Sequence, residues 1–357
     1  MNDDIKSAWL LKRNLRRLRL ILTALACAAL TPAAEAAPAP QQIAQAGPLK
    51  LVGGTVDACA IGYRTYGTLL PDRSNAVLLP TWLTGRTADL DGLIGPGKFV
   101  DSTKWYVITV DAIGDGVSCS PSSSEPKERL AFPEFSIGDM VDAQHRLLVK
   151  TLGVKHLHAV VGMSMGGMQA LQWAVRYPDF ASKIVAIVAT PQPTGQDLLT
   201  WNAQLRSIDE SASWRGGDYA EGTQFKTLAA LQTLSIWTPD YRVQNTSRAQ
   251  FSHFLQAQDT ANLATFSAVD WYRQLQALIR FNLADDAGGT LAGVAHKITA
   301  PMLIVTSKRD HMVNPGPVTA LAGLTGARQL VLDSDCGHMA PVCDMPAVSA
   351  AIAEFLQ

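Results

Sequence analysis

The sequence lacks the signatures of several large classes of protein. It contains no H-E-x-x-H, C-x-x-C or G-x-G-x-x-G motif, so neither a metal site nor a dinucleotide site is indicated. The run Gly92–Lys98 has the spacing of a phosphate-binding loop, but Phe99 stands where a magnesium-binding Ser or Thr is needed. The 30 Lys and Arg residues nearly balance the 31 Asp and Glu residues, which leaves no basic excess for nucleic-acid binding. We therefore expect no cofactor and no nucleic-acid partner.

The N-terminal segment has the three parts of a secretory signal peptide. Basic residues between positions 12 and 19 precede an apolar run at 20–30 that is too short for a permanent membrane span, and Ala34-Glu35-Ala36 follows as a cleavage site. We predict that residues 1–36 are removed and that the mature protein is periplasmic or secreted, with no stable membrane span. Three alternatives stay open, namely a twin-arginine signal, a lipid anchor on a cysteine of this segment, and an amphipathic helix of a cytosolic protein.

Cysteine is scarce. Four of the five cysteines lie beyond the predicted signal peptide: Cys59, Cys119, Cys336 and Cys343. An even number in an oxidising compartment permits two disulfides with three possible connectivities. Cys336 and Cys343 bracket His338, so a bond between them would clamp its loop. Buried free thiols that only pack in the core are the alternative.

Short apolar runs recur along the chain with helical spacing between them. The runs that read as buried strands lie at residues 76–80, 106–110, 183–189, 302–306 and 329–332. This alternation predicts an α/β fold with a mostly parallel sheet flanked by helices. Residues 37–50 read as a flexible lead and residues 51–69 as an edge hairpin.

One long segment interrupts that alternation. Residues 192–297 are rich in Gln, Asp, Ser and Trp, and their apolar positions recur at helical spacing. We predict that residues 37–191 and 298–357 form the core and that residues 192–297 form an all-helical lid. The tryptophans of this segment either line a pocket or, as we favour for most of them, form its own core.

A serine motif lies near the middle of the chain. Gly162-Met163-Ser164-Met165-Gly166 follows an apolar run and precedes a helical one. This is the G-x-S-x-G nucleophile elbow, in which a strand turns sharply into a helix and presents the serine at the tip. The motif in this context predicts an α/β-hydrolase fold with Ser164 as nucleophile.

A serine nucleophile needs a base and a group that orients the base. The order in α/β-hydrolases is serine, acid, histidine, with the last two at the ends of late strands. Asp310 follows the apolar run 302–306, and His338 follows the run 329–332. We predict a catalytic triad of Ser164, Asp310 and His338. The oxyanion hole is expected to combine the Met165 N–H with that of Leu83 or Trp82.

Five further segments, taken in order, closely resemble the homoserine O-acetyltransferase family of α/β-hydrolases. They cover residues 75–85, 91–98, 136–144, 162–170 and 177–179. The resemblance implies the same triad, a helical lid, ping-pong acyl transfer and a homodimer formed through the lid.

The chain also departs from that family. Its transferases hold an amino-acid substrate with an arginine, a tyrosine and an aspartate, and the matching positions here are Gln232, Pro239 and Met339. The lost charge-assisted hydrogen bonds leave a more apolar pocket, lined by Trp82, Gln232 and Met339. An exported protein would also lack cytosolic acetyl-CoA and homoserine. We therefore expect a serine hydrolase of small, short-chain acyl esters, with an O-acyltransferase as the alternative.

Overall fold

The computed structural model describes residues 39–263 and 267–357, so the predicted signal peptide lies outside the described residues. These residues form one eight-stranded sheet with the order β1-β2-β4-β3-β5-β6-β7-β8. Its strands are β1 Gln42–Leu51, β2 Gly54–Tyr66, β3 Ala76–Pro80, β4 Tyr106–Val110, β5 Ala159–Met163, β6 Ile184–Ile187, β7 Met302–Ser307 and β8 Arg328–Leu332. The pairs from β4 to β8 are parallel, whereas β1 with β2 and β2 with β4 are antiparallel.

Helices cover both faces of the sheet. In chain order they are α1 Ile137–Arg146, α2 Met165–Arg176, α3 Gly195–Asp209, α4 Lys226–Ile236, α5 Pro239–Asn245, α6 Phe251–Leu263, α7 Ala268–Arg280, α8 Leu291–Lys297, α9 Gly316–Thr325, α10 Ala340–Cys343 and α11 Met345–Leu356. Every residue of β3, β5, β6 and β7 is buried, as continuous apolar runs require in a sheet covered on two sides. The predicted α/β-hydrolase fold is confirmed.

The interpretation of residues 37–50 as a flexible lead is wrong for most of that stretch. Residues 42–51 form β1, which pairs with β2 as the outer strand of a hairpin. Gly47 has a φ of 68°, and the register with β2 shifts on both sides of it. This bulge interrupts the alternation of buried residues, so the period-2 pattern of a strand is lost in the sequence.

The segment between β6 and β7 contains helices α3 to α8. Of its four tryptophans, Trp201, Trp214 and Trp271 are buried, whereas Trp237 is half-buried. Trp271 also borders the cavity described below, so it contributes to both the core and the pocket. Of the helices in residues 39–263 and 267–357, none is by itself long and apolar enough to cross a bilayer, and one pair bent by 71° meets those criteria only jointly.

Candidate active site

The turn between β5 and α2 holds Ser164 in an uncommon backbone conformation. Its φ of 57° and ψ of −124° are sparsely populated for a residue with a side chain. A Cβ atom on Gly162 would lie 2.0 Å from the carbonyl oxygen of Gly166, and one on Gly166 would lie 2.6 Å from that of Pro80. Only glycine fits at both positions, which explains mechanically why the motif needs them.

Ser164, His338 and Asp310 form a continuous chain of hydrogen bonds. The Nε2 atom of His338 lies 2.9 Å from Ser164 Oγ, and its Nδ1 atom lies 2.7 Å from Asp310 Oδ2. The second oxygen of Asp310 accepts the N–H groups of Met312 and Val313, each at 2.9 Å. All three side chains of the hydrogen-bonded chain are buried, so water does not compete for these contacts. The geometry allows the imidazole to accept the serine proton while the carboxylate holds its other nitrogen protonated.

Two backbone N–H groups near Ser164 are available to a ligand. The Met165 N–H is at the start of α2, where the helix dipole favours negative charge. A hydrogen bond of 3.0 Å from Gly85 N to the Trp82 carbonyl closes a turn whose central residues are Leu83 and Thr84. Over residues 39–263 and 267–357, no acceptor lies within hydrogen-bond distance of the Leu83 or the Met165 N–H. Their role as an oxyanion hole stays a prediction.

Two buried glutamines hold the loop that contains Leu83. Gln274 of α7 accepts the Thr84 N–H at 2.8 Å, and Gln169 of α2 donates to the Thr81 carbonyl at 2.9 Å. Thr84 has a φ of 66°, so the loop needs such external support. Neither glutamine is predictable from the sequence, because they lie 190 and 88 positions from their partners and no local motif connects them.

A cavity of about 280 Å³ opens above the serine. Its wall contains the three residues predicted for the substrate pocket, Trp82, Gln232 and Met339, together with Ser164 and His338. The remaining lining residues are Leu83, Thr84, Asp89, Met163, Ile236, Trp271, Met312 and Val342. The cavity is therefore mostly apolar, with a few polar groups, as is usual for small-molecule sites.

Asp89 is the one acidic side chain among these lining residues. It is exposed to solvent, and its Oδ2 atom accepts the Arg86 N–H at 2.8 Å, which caps a short 3-10 helix. Its charge is therefore screened and partly used within the loop.

Both pairs of cysteines left open by the sequence are disulfides. Cys336 bonds to Cys343, and this seven-residue link spans His338. Cys59 bonds to Cys119 across a separation of 60 residues, joining β2 to the loop after β4. The interpretation as free thiols is wrong for both pairs.

Two buried carboxyl groups lie close to the site without lining the cavity. Burial, reinforced by the neighbouring Asp111, raises the pKa of Asp115 well above its usual range. Burial also raises the pKa of Asp270 to about 6. The loop after β4, which contains Asp115, is joined to the loop after β3, which contains Leu83, since the Ala112 N–H donates to Thr81 Oγ1 at 3.0 Å. We interpret these carboxyl groups as structural supports of the loops.

Comparison with known proteins gives two kinds of relative. A family model described as the alpha/beta hydrolase fold matches residues 85–342. An ethyl acetate hydrolase of Pseudomonas veronii is 36% identical over 57% of this chain, a match that spans only 60% of that enzyme. A homoserine O-acetyltransferase of Caulobacter vibrioides is 31% identical over 87% of this chain and 92% of its own length. The solved structure of the acetyl esterase MekB is similar with a TM-score of 0.81 and 27% identity, over 89% of this chain and 96% of that one.

Proposed function

The chain belongs to the homoserine O-acetyltransferase family of α/β-hydrolases, and we propose that it is a serine hydrolase of small, uncharged, short-chain acyl esters. The observation that carries this proposal is the hydrogen-bonded chain Ser164–His338–Asp310 beneath a mostly apolar cavity. The shared fold and the esterases among the relatives support it.

The proposed reaction proceeds through an acyl-enzyme. Ser164 Oγ attacks the ester carbonyl while His338 Nε2 takes its proton, and the tetrahedral oxyanion is stabilised by the Met165 and Leu83 N–H groups. His338 then returns the proton to the departing alcohol. Water enters, loses a proton to His338 and attacks the acyl carbonyl. The bond between the acyl group and Ser164 Oγ then breaks, His338 returns its proton to Ser164 Oγ, and the carboxylic acid leaves. Asp310 holds the imidazole in the required tautomer throughout.

Two uncharged residues of the cavity wall, Gln232 and Met339, favour hydrolysis over transfer to an amino acid. Met339 directly follows His338, and Gln232 faces the same cavity, so neither position offers an ionic partner to an amino-acid acceptor. Among the described residues that line the cavity, the acidic side chain is Asp89, which is exposed to solvent. An O-acyltransferase with a different acceptor is the second candidate, favoured by the length of the match to homoserine O-acetyltransferases.

The fate of the acyl group distinguishes these two functions. We expect purified protein to hydrolyse ethyl acetate and p-nitrophenyl acetate, and to form no O-acetylhomoserine from acetyl-CoA and L-homoserine. Product analysis by mass spectrometry, with Ser164→Ala as the blank, measures both activities in parallel. Efficient homoserine acetylation would overturn the esterase proposal in favour of the transferase.

We also propose that the protein forms a homodimer through helices α4, α5 and α6. Supporting observations are an apolar groove of about 420 Å³ between these helices and the exposure of apolar side chains around it. Leu234 is 73% exposed and Val243 79% exposed. Clustered exposed apolar side chains on a soluble domain are typical of an interaction surface.

Introducing two charged side chains into this groove tests whether it forms the dimer interface. The double substitution Leu234→Glu and Val243→Glu is expected to convert a dimer into a monomer, because it would bury two unpaired carboxylates in the interface. Light scattering coupled to size-exclusion chromatography measures the molar mass. Leu324→Glu, an exposed leucine on α9, is the matched control and is expected to stay dimeric. A wild-type protein that elutes as a monomer at micromolar concentration refutes the proposal.

We propose further that the protein acts in the periplasm or outside the cell. The disulfides Cys59–Cys119 and Cys336–Cys343 support this location, because such bonds persist in oxidising compartments and are rare in the cytosol.

A further inference from the structure

Gln232 is connected to the protein interior by a short series of hydrogen bonds. The indole Nε1 of Trp271 donates to Gln204 Oε1 at 3.3 Å, and Gln204 Nε2 donates to Gln232 Oε1 at 2.9 Å. Trp271 and Gln204 are buried, and Gln232 lines the cavity above Ser164. We refer to Trp271, Gln204 and Gln232 as the pocket relay.

The indole of Trp271 determines how the amide groups of Gln204 and Gln232 are oriented. An indole N–H only donates, so the Gln204 atom that faces it must be the amide oxygen. The Gln204 amine then faces Gln232, which must present its own oxygen in return. The Nε2 amine of Gln232 is the remaining polar group of the relay. Within residues 39–263 and 267–357 it donates to no protein acceptor, and it is not among the buried polar atoms that lack a partner. The relay therefore presents one neutral donor to the cavity.

The same molecule uses an identical arrangement a second time. Trp173 Nε1 donates to Gln144 Oε1 at 2.8 Å, and Gln144 Nε2 donates to Gln169 Oε1 at 2.6 Å. The terminal amine of Gln169 donates to two neutral oxygens, the carbonyls of Thr81 at 2.9 Å and of Met165 at 3.1 Å. A buried tryptophan and two glutamines thus serve there to aim one amide amine at uncharged acceptors. In the pocket relay the corresponding acceptor position lies in the cavity.

The position of α4 indicates which half of an ester meets Gln232. Ile236 lies one turn after Gln232, and its carbonyl would be 2.9 Å from a Cβ atom on Gly337, the residue before His338. Helix α4 therefore packs against the histidine loop. Since His338 delivers its proton to the departing alcohol, this side of the cavity holds the alcohol part of the ester.

We infer that Gln232 determines specificity by donating a hydrogen bond from Nε2 to an uncharged acceptor oxygen, an ether or carbonyl, in the alcohol part of the substrate. The inference rests on the proposed esterase function and narrows its substrate class to esters of oxygen-containing alcohols. An amide donor of this kind gives no ionic contact to a carboxylate and repels an ammonium group. The preferred substrate is accordingly polar but neutral.

Two esters of equal length test the inference. Butyl acetate and 2-methoxyethyl acetate differ by one CH₂ replaced by an oxygen, and kcat/KM is measured for both with wild type, Gln232→Met and Gln204→Met. The ratio of the two kcat/KM values is compared between enzymes, so that the intrinsic reactivity of each ester cancels. We expect the preference for 2-methoxyethyl acetate to fall about three- to tenfold in Gln232→Met, the loss of one neutral hydrogen bond.

Gln204→Met repeats the test without changing the cavity wall. It removes the group that orients the Gln232 amide. We therefore expect the preference for 2-methoxyethyl acetate to fall, but by less than in Gln232→Met. Gln196→Met, an exposed glutamine on the same helix, is the matched control and should keep the wild-type ratio. A ratio unchanged in both Gln232→Met and Gln204→Met overturns the inference while ester hydrolysis itself stands. Wild-type protein that hydrolyses neither ester overturns the proposed function, and the inference with it.

Discussion

Ser164→Ala is expected to lower kcat for ester hydrolysis by on the order of 10⁵-fold or more. The substitution removes only the hydroxyl group of Ser164, whose Oγ atom lies 2.9 Å from His338 Nε2. Among the described residues that line the cavity, Ser164 is the one whose hydroxyl is hydrogen-bonded to that imidazole. Steady-state kinetics with p-nitrophenyl acetate and a serine-reactive phosphonate probe measure the loss of turnover and of labelling.

A second serine provides the control for this change. Ser349 on α11 is also buried, and its hydroxyl has no partner among the described residues. Ser349→Ala therefore removes the same atom from a site without chemistry, and we expect wild-type kcat. Thermal unfolding of both variants checks that the fold is retained. Substantial activity in folded Ser164→Ala would mean that another residue is the nucleophile.

The two disulfides are expected to differ in their contributions: Cys59–Cys119 contributes more to stability, and Cys336–Cys343 contributes more to activity. Replacing Cys59 and Cys119 by alanine opens a link of 60 residues and should lower the free energy of unfolding by about 4 kcal/mol. Replacing Cys336 and Cys343 opens a link of only seven residues and should cost about 2 kcal/mol. The second change, however, frees the loop that holds His338, so we expect it to lower kcat by about tenfold or more, because catalytic geometry tolerates little displacement.

Each double variant serves as the control for the other. Urea unfolding gives the change in free energy, and kcat is measured well below the unfolding midpoint so that only folded protein contributes. If the Cys336–Cys343 variant keeps wild-type kcat, the clamp on His338 has no catalytic role. A larger stability loss from the seven-residue link than from the 60-residue link would contradict the loop-length argument.

Much of the fold and the three central side chains follow from local patterns in the sequence. Ser164 is identified by glycines that the elbow sterically requires, and Asp310 and His338 by their positions just after apolar strands. Parallel strands end at the same edge of a sheet, so order along the chain places these residues near one another. The structure brings them within hydrogen-bond distance.

Features without a local pattern were not predictable. Strand β1 was missed because the bulge at Gly47 breaks its alternation. Gln204, Gln232 and Trp271 come together from three helices, and Gln204 and Trp271 are 67 positions apart in the sequence. Nothing in a glutamine's neighbours along the chain signals such a contact, and only tertiary packing creates it.

The pocket relay has a consequence for the conditions under which the protein discriminates between esters. Trp271, Gln204 and Gln232 carry no charge and gain or lose no proton in water at ordinary pH. Ionic recognition weakens as salt is added, because mobile ions shorten the reach of each charge. A neutral amide donor is not screened in this way. Selectivity between neutral esters should therefore be the same in dilute and in saline media.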